Sequence, residues 1–183
     1  MRVGIMGLGQ LGKDAAGKLS ALGFAVNGWS KTPKSIKGVA GFAGARALND
    51  FLSRTRILIC MLPLTPQTEG ILSRQTFDRL PAGAYVINVA RGAHLIEDDL
   101  LAALDAGQLS GACLDVFETE PLPADHPFWD HAARQIAEKT VSIRHQGFFG
   151  NAMLTLDELS QSDIINIIRE LDDRFVTRKP KAS

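Results

Sequence analysis

The residues best suited to chemistry come first in the chain. Gly7-Leu8-Gly9-Gln10-Leu11-Gly12 has the G-x-G-x-x-G spacing, follows an apolar run from Val3 to Met6, and opens a helical pattern from Gln10 to Leu22. With a strand before it and a helix after it, this spacing reads as a dinucleotide-binding turn. Gly7 permits the tight turn, Gly9 lets a pyrophosphate approach the backbone, and Gly12 lets the helix lie close on the strand. Gln10 and Leu11 begin the helix, whose free N–H groups and positive dipole end would face the phosphates. An ordinary glycine-rich βα turn would use glycines in the same way, so the rest of the chain has to supply the remaining parts of such a site.

The second part is a residue that reads the adenosine ribose. An acid about twenty positions beyond the turn, at the end of the second strand, grips the ribose 2′-OH in NAD-binding versions. Here that place is held by Ser30, followed by Lys31, Thr32 and Lys34. A carboxylate would repel a 2′-phosphate. Hydroxyl donors and ammonium groups attract one, and two charges about 4 Å apart near a surface interact by up to ~4 kcal/mol before screening. The expected cofactor is therefore NADP, with NAD possible.

These residues need a scaffold that brings strand ends together. Apolar runs at Phe24–Trp29, Val39–Phe42, Arg56–Leu62, Ala84–Val89 and Ala112–Val116 read as strands, several of them continuous enough to be buried on both faces. Helical patterns fall at Ala47–Ser53, within Thr68–Leu80, and at Glu97–Ala106 with Gly107 as its stop. The alternation implies a Rossmann-type, doubly wound, mostly parallel α/β sheet with helices on both faces. It occupies residues 1–131. Residues 132–183 read as a helical extension. Ala132–Ile143 is helical in this reading, and Leu156, Leu159, Ile164, Ile167, Ile168, Leu171 and Phe175 recur at helical spacing.

Composition narrows the function classes. Twenty Lys and Arg balance twenty Asp and Glu, so there is no basic field for nucleic acid or an anionic membrane. The longest apolar run, Ile57–Leu62, is far too short to span a bilayer. Cys60 and Cys113 lie in strand-like runs and read as buried, reduced thiols, which suits the cytoplasm. No cluster of metal-ligand spacing appears.

By Asn88-Val89-Ala90-Arg91-Gly92 and Asp115-Val116-Phe117-Glu118-Thr119-Glu120-Pro121 the chain resembles the D-isomer-specific 2-hydroxyacid dehydrogenases. Trp29-Ser30-Lys31, the loop from Leu62 to Leu72, and Arg91-Gly92-Ala93-His94-Leu95 are similar to the glyoxylate/hydroxypyruvate reductase A branch, which reduces small 2-oxo acids with NADPH. The likeness runs from Arg2 to about His131, and none is evident from Gly147 on. It implies a cofactor-binding domain that forms a homodimer. Arg91 matches the arginine that binds the substrate carboxylate and polarises its carbonyl, and Glu120 matches the acid that pairs with a catalytic histidine. Asp115 corresponds to a residue near the nicotinamide carboxamide. Leu62, Pro63 and Thr68 match the loop along the nicotinamide ribose and phosphates, and Ala90 precedes the arginine.

Two departures qualify the resemblance. The family's substrate domain begins before the glycine turn, which here starts at Met1. The family's general acid follows a final strand in a Thr-Pro-His context, whereas this chain passes from His131 directly into a stretch, from Ala132, that resembles the family's late helix. His94, His126, His131 and His145 remain as candidates. Three readings stay open. The chain is an NADP-binding half with little turnover alone, a binding or dimerisation module acting through Glu97–Ala106, or an enzyme in which His94 or His131 replaces the acid.

Overall fold

In the computed structural model the described residues are 2–128, 131 and 142–143. Seven strands form one sheet: β1 (Arg2–Met6), β2 (Ala25–Ser30), β3 (Val39–Ala43), β4 (Ile57–Cys60), β5 (Ala84–Asn88), β6 (Leu109–Leu114) and β7 (Ser142–Ile143). Their spatial order is β3-β2-β1-β4-β5-β6-β7, and every neighbouring pair is parallel. The order reverses between β1 and β4, the point at which doubly wound sheets bind ligands beyond the strands' carboxyl ends.

Burial follows from the two-residue period of a strand. Ile57 and Ile59 face one layer while Leu58 and Cys60 face the other, and Ile87 and Val86 divide the same way. One layer is covered by α1 (Gln10–Ala21), which turns Gly12, Ala15, Ala16 and Leu19 inward at helical spacing. The other is covered by α2 (Leu48–Ser53), α3 (Arg74–Phe77) and α4 (Glu97–Asp105), with Phe51, Phe77, Leu100 and Leu104 in its core. Right-handed crossovers to opposite sides of the switch point place α1 and α4 on opposite faces. Gly107, at φ +71°, ends α4 as its position suggests. No helix among the described residues is long and apolar enough to cross a membrane.

Two of the expected elements need correction, and one is narrowed. β6 starts at Leu109, because Leu109-Ser110-Gly111 continues the pairing with β5 across a register shift at Ala84/Tyr85. Within Thr68–Leu80 only Arg74–Phe77 is α-helical. The third bears on the site. Ser142–Ile143, assigned to a helix from the sequence, is a strand paired with Cys113–Leu114 of β6. A two-residue strand held by backbone bonds leaves no hydrophobic period to read. The sheet therefore extends beyond the boundary at residue 131, and a strand follows β6 after all. The remaining helical expectations for 132–183, including Leu156 to Phe175, lie outside the described residues.

The packing of α1 on β1 generates a paired test. A Cβ at Gly12 would lie 1.8 Å from the Gly7 carbonyl oxygen, whereas one at Gly17, in the same helix, would meet nothing within 4 Å. Gly12→Ala should cost about 3 kcal/mol by overpacking. Gly17→Ala should add about 0.5–1 kcal/mol by restricting the unfolded chain and favouring helix. Urea unfolding of the two variants checks the opposite signs.

Candidate functional site

Each residue singled out from the sequence follows the carboxyl end of a strand. Gly7–Gly12 leave β1, Ser30–Thr32 leave β2, Leu62–Thr68 leave β4, Ala90–Arg91 leave β5, and Asp115–Glu120 leave β6. Parallel pairing in register thus assembles one edge of the sheet from five separate stretches.

At the centre the three glycines play unequal parts. Gly7 has φ +105°, and a Cβ there would strike the Met61 carbonyl at 2.5 Å, so it seals the β1 turn against β4. Gly12 is closed by the Gly7 carbonyl. Gly9 is exposed, and its Cβ would meet nothing of the protein. Gly9 is also the N-cap of α1, with no side-chain cap hydrogen bond and no acid in the first turn. The first helical bond is donated by Lys13 N to Gly9 O, leaving the N–H groups of Gln10, Leu11 and Gly12 without intrahelical partners. An uncapped helix end beside open space suits an anion that approaches the backbone closely.

The turn after β2 is built from its own backbone. Ser30 Oγ donates to Thr32 O at 2.7 Å, Gly44 N donates to Ser30 O, and Trp29 Nε1 donates to Gly44 O. The Ser30 proton is thus committed to shaping the turn, a correction to its reading as a free donor. Lys31, Thr32 and Lys34 are exposed, and among the described residues neither lysine is in an ion pair. The loop after β4 is knotted in the same way. Thr68 Oγ1 donates to Pro63 O at 2.7 Å and accepts from Thr65 N at 2.9 Å, so its hydroxyl also folds the loop. Leu62 is buried beneath exposed Pro63. Below them Cys60 is buried, and desolvation pushes its thiol up to about 11, which favours the protonated, weakly nucleophilic form at neutral pH.

Arg91 is exposed at the head of a 3₁₀ turn, Gly92–His94, that the sequence did not reveal. Its Nη1 donates to Ala90 O at 2.7 Å. Gly92 rests so close to Phe117 that a Cβ would fall 1.8 Å from the Phe117 carbonyl oxygen. Only glycine lets the Arg91 turn and the Glu120 loop abut. Glu120 is exposed, and its Oε1 accepts from Phe117 N at 3.0 Å. Asp115 is half-buried just beyond β6, with its backbone N–H donated to Asn88 O at 3.0 Å.

The histidines fall into different roles. His94 is fully buried. His126 Nε2 lies 3.0 Å from Glu97 Oε2 and its Nδ1 accepts from Phe128 N, so the ring carries its proton on Nε2 and donates it to the carboxylate. His131 Nε2 is 3.3 Å from Asp105 Oδ1. Glu97 and Asp105 are the first and last residues of α4, so His126 and His131 strap the chain following Glu120 across that helix. That accounts for both rings structurally. His145 lies outside the described residues, two positions beyond β7 in the chain. Among the described residues no three of His, Cys, Asp or Glu gather as a metal ion would need.

Comparison with known proteins identifies the domain. Residues 1–137 match the family model of the D-isomer specific 2-hydroxyacid dehydrogenase NAD binding domain. A glyoxylate/hydroxypyruvate reductase A of Serratia proteamaculans is 59% identical over 141 residues, 77% of this chain and 45% of that protein. One from Yersinia enterocolitica is 46% identical over 170 residues, 93% of this chain and 51% of that protein. The chain thus spans about half the length of these curated relatives. An alignment of 170 residues necessarily reaches past residue 147, so the likeness does not end near His131 as expected. A D-isomer specific 2-hydroxyacid dehydrogenase of Xanthobacter autotrophicus Py2, solved with NADPH and MES, superposes with a TM-score of 0.74 at 41% identity, covering 94% of this chain and 51% of that one.

Replacing His126 tests the strap. His126→Ala removes the donor to a mostly buried Glu97 and should cost about 1–3 kcal/mol, or about 2–4 °C of melting temperature per kcal/mol for a chain of this size. His126→Gln, which can still donate from the Nε2 position, should recover part of it. Limited proteolysis within 118–128 should rise in the alanine variant first.

Proposed function

The chain belongs to the D-isomer specific 2-hydroxyacid dehydrogenases, through their NAD-binding domain, and from that premise we propose that it binds NADP(H) along the carboxyl edge of its sheet and serves the reduction of a small 2-oxo acid, as a glyoxylate/hydroxypyruvate reductase does. The observation that carries the reading is the inequality of the three glycines. Two are required by the protein's own backbone, and the third faces open space at an uncapped helix end. A pyrophosphate there would satisfy the orphan N–H groups of the first turn.

The preference for the 2′-phosphate rests on Lys31 and Lys34, exposed on a turn that carries no acid. NADPH, when bound, supplies a hydride. This chain's residues do the rest. The Arg91 guanidinium, whose fork matches a planar carboxylate, orients the 2-oxo acid and draws charge from its carbonyl. Ala90, Asp115, Leu62, Pro63 and Thr68 line the nicotinamide side, Thr68 by holding its loop. Glu120, abutting the Arg91 turn, partners the proton donor. For the proton donor we take His145, two positions beyond β7 in the chain, as the candidate in place of His94 and His131. The same reading makes the protein a cytoplasmic homodimer: the family forms one through this domain, and both cysteines are buried and outside any disulfide.

Titrating NADPH and NADH while following melting temperature tests the cofactor. NADPH at a hundredfold excess over Kd should add about 2.7 kcal/mol of stability. Gly9→Val should abolish that gain with little change in the unliganded protein, and equal gains from NADH would remove the Lys31 argument. NADPH oxidation with glyoxylate tests turnover, with His145→Gln expected to lower it roughly 10²–10⁴-fold. Cofactor binding without turnover in the parent chain would leave a binding module.

A further inference from the structure

The carbonyl oxygen of Arg91 is held from three directions. Asn88 Nδ2 donates to it at 3.0 Å, His94 N at 3.2 Å, and His94 Nδ1 lies 3.1 Å away. Asn88 also accepts from Ala90 N through Oδ1 at 3.2 Å. One side chain at the end of β5 and one at the end of the 3₁₀ turn therefore close on the backbone of a single exposed residue. The turn is tied from outside as well. Gly70 N donates to Ala93 O, Leu72 N donates to His94 O, and Ile96 N donates to Leu72 O.

A carbonyl oxygen can only accept, so the proton of a neutral His94 ring is on Nδ1. Nε2 is then a bare acceptor, fully buried and without a hydrogen-bond partner. A buried, unsatisfied acceptor is a standing cost. Leucine would fill comparable space without it, but leucine could not donate to Arg91 O. The ring is thus explained by its Nδ1 alone. His126 carries its proton on the other nitrogen, because Phe128 N occupies Nδ1 as a donor.

We infer that His94, with Asn88, is a positioning residue: it locks the Arg91 backbone so that the guanidinium is presented to substrate in one orientation. The inference rests on the reading that Arg91 takes the 2-oxo acid carboxylate. A small displacement of an orienting group has a large effect on rate, and a long side chain on a frayed turn could not supply that orientation. His94 does this without touching substrate, so it is neither the proton donor sought from the sequence nor a spare core residue.

Side-chain ¹⁵N spectra of the full chain at about pH 8, above the usual range of histidine titration, should show His94 protonated on Nδ1 and His126 on Nε2 in the same sample. Backbone relaxation gives the second readout. Order parameters at Arg91 and Gly92 should fall from about 0.85 to below about 0.6 in His94→Leu, with β1 and β4 unchanged. His94→Asn places an amide N–H where Nδ1 stood and should restore rigidity, whereas His94→Gln should not. An Nε2-protonated His94, a rigid Arg91 turn in His94→Leu, or equal behaviour of the Asn and Gln variants would overturn the inference. Should His94→Leu fail to fold, the tautomer and the Asn/Gln contrast still decide. NADPH binding to the parent chain is scored separately, so loss of the cofactor reading would register there and not in the His94 spectra.

Discussion

The contact between Gly12 and the Gly7 carbonyl governs what this sheet edge can be. The 1.8 Å that a Cβ would leave there admits no side chain, so the amino end of α1 is pressed onto the end of β1. That closeness points the helix's unpaired N–H groups along the strand axis, over the gap where strand order reverses. A helix set back by one methyl group would aim its dipole elsewhere, and the open space at Gly9 would face no donors. The chemistry of the edge is therefore a consequence of packing. Gly7 performs the matching task on the neighbouring strand, letting the β1 turn touch Met61 of the chain leaving β4.

How much of this was legible in the sequence depended on whether the signal was local. The glycine turn and the strand–helix alternation were readable because one strand, one turn and one helix carry them, each with its own period. Ile57–Cys60 and Ala84–Asn88 were visible as strands buried on both faces because each presents an apolar residue to both layers. Bonds between distant residues were not visible. β7 exists through pairing with Cys113 and Leu114, and nothing in Ser142-Ile143 announces it. The 3₁₀ turn at Gly92–His94 is held by Gly70 and Leu72, some twenty residues earlier. Donors and acceptors read as facing a ligand proved partly spent on their own loops, as at Ser30 and Thr68. Short polar side chains in turns find nearby backbone first.

The histidines show the same limit. From spacing alone four rings were interchangeable candidates for a proton donor. In the structure His126 and His131 meet carboxylates at opposite ends of α4, and His94 meets a carbonyl. His126 and His131 are thus oriented by partners distant in the chain, and His94 by a carbonyl three residues back. The strap across α4 also bears on the dimer expected at Glu97–Ala106. The ends of that helix are engaged by this chain's own residues, so a second copy would meet the strap together with the helix.

Arg91 shows why the site needs both levels of organisation. Its guanidinium is exposed and bound to its own neighbour, Ala90 O, an arrangement a surface arginine could adopt anywhere. What distinguishes it is the backbone beneath. Asn88 caps the turn from the strand, His94 closes it from the far side, and Gly92 sets it against Phe117, whose N–H in turn holds Glu120. The arginine and the acid are thereby linked through hydrogen-bonded main chain, with no direct bond between them required. A cation on a long stem gains direction only from what fixes its root, and here that root is fixed by residues whose side chains need never meet a ligand.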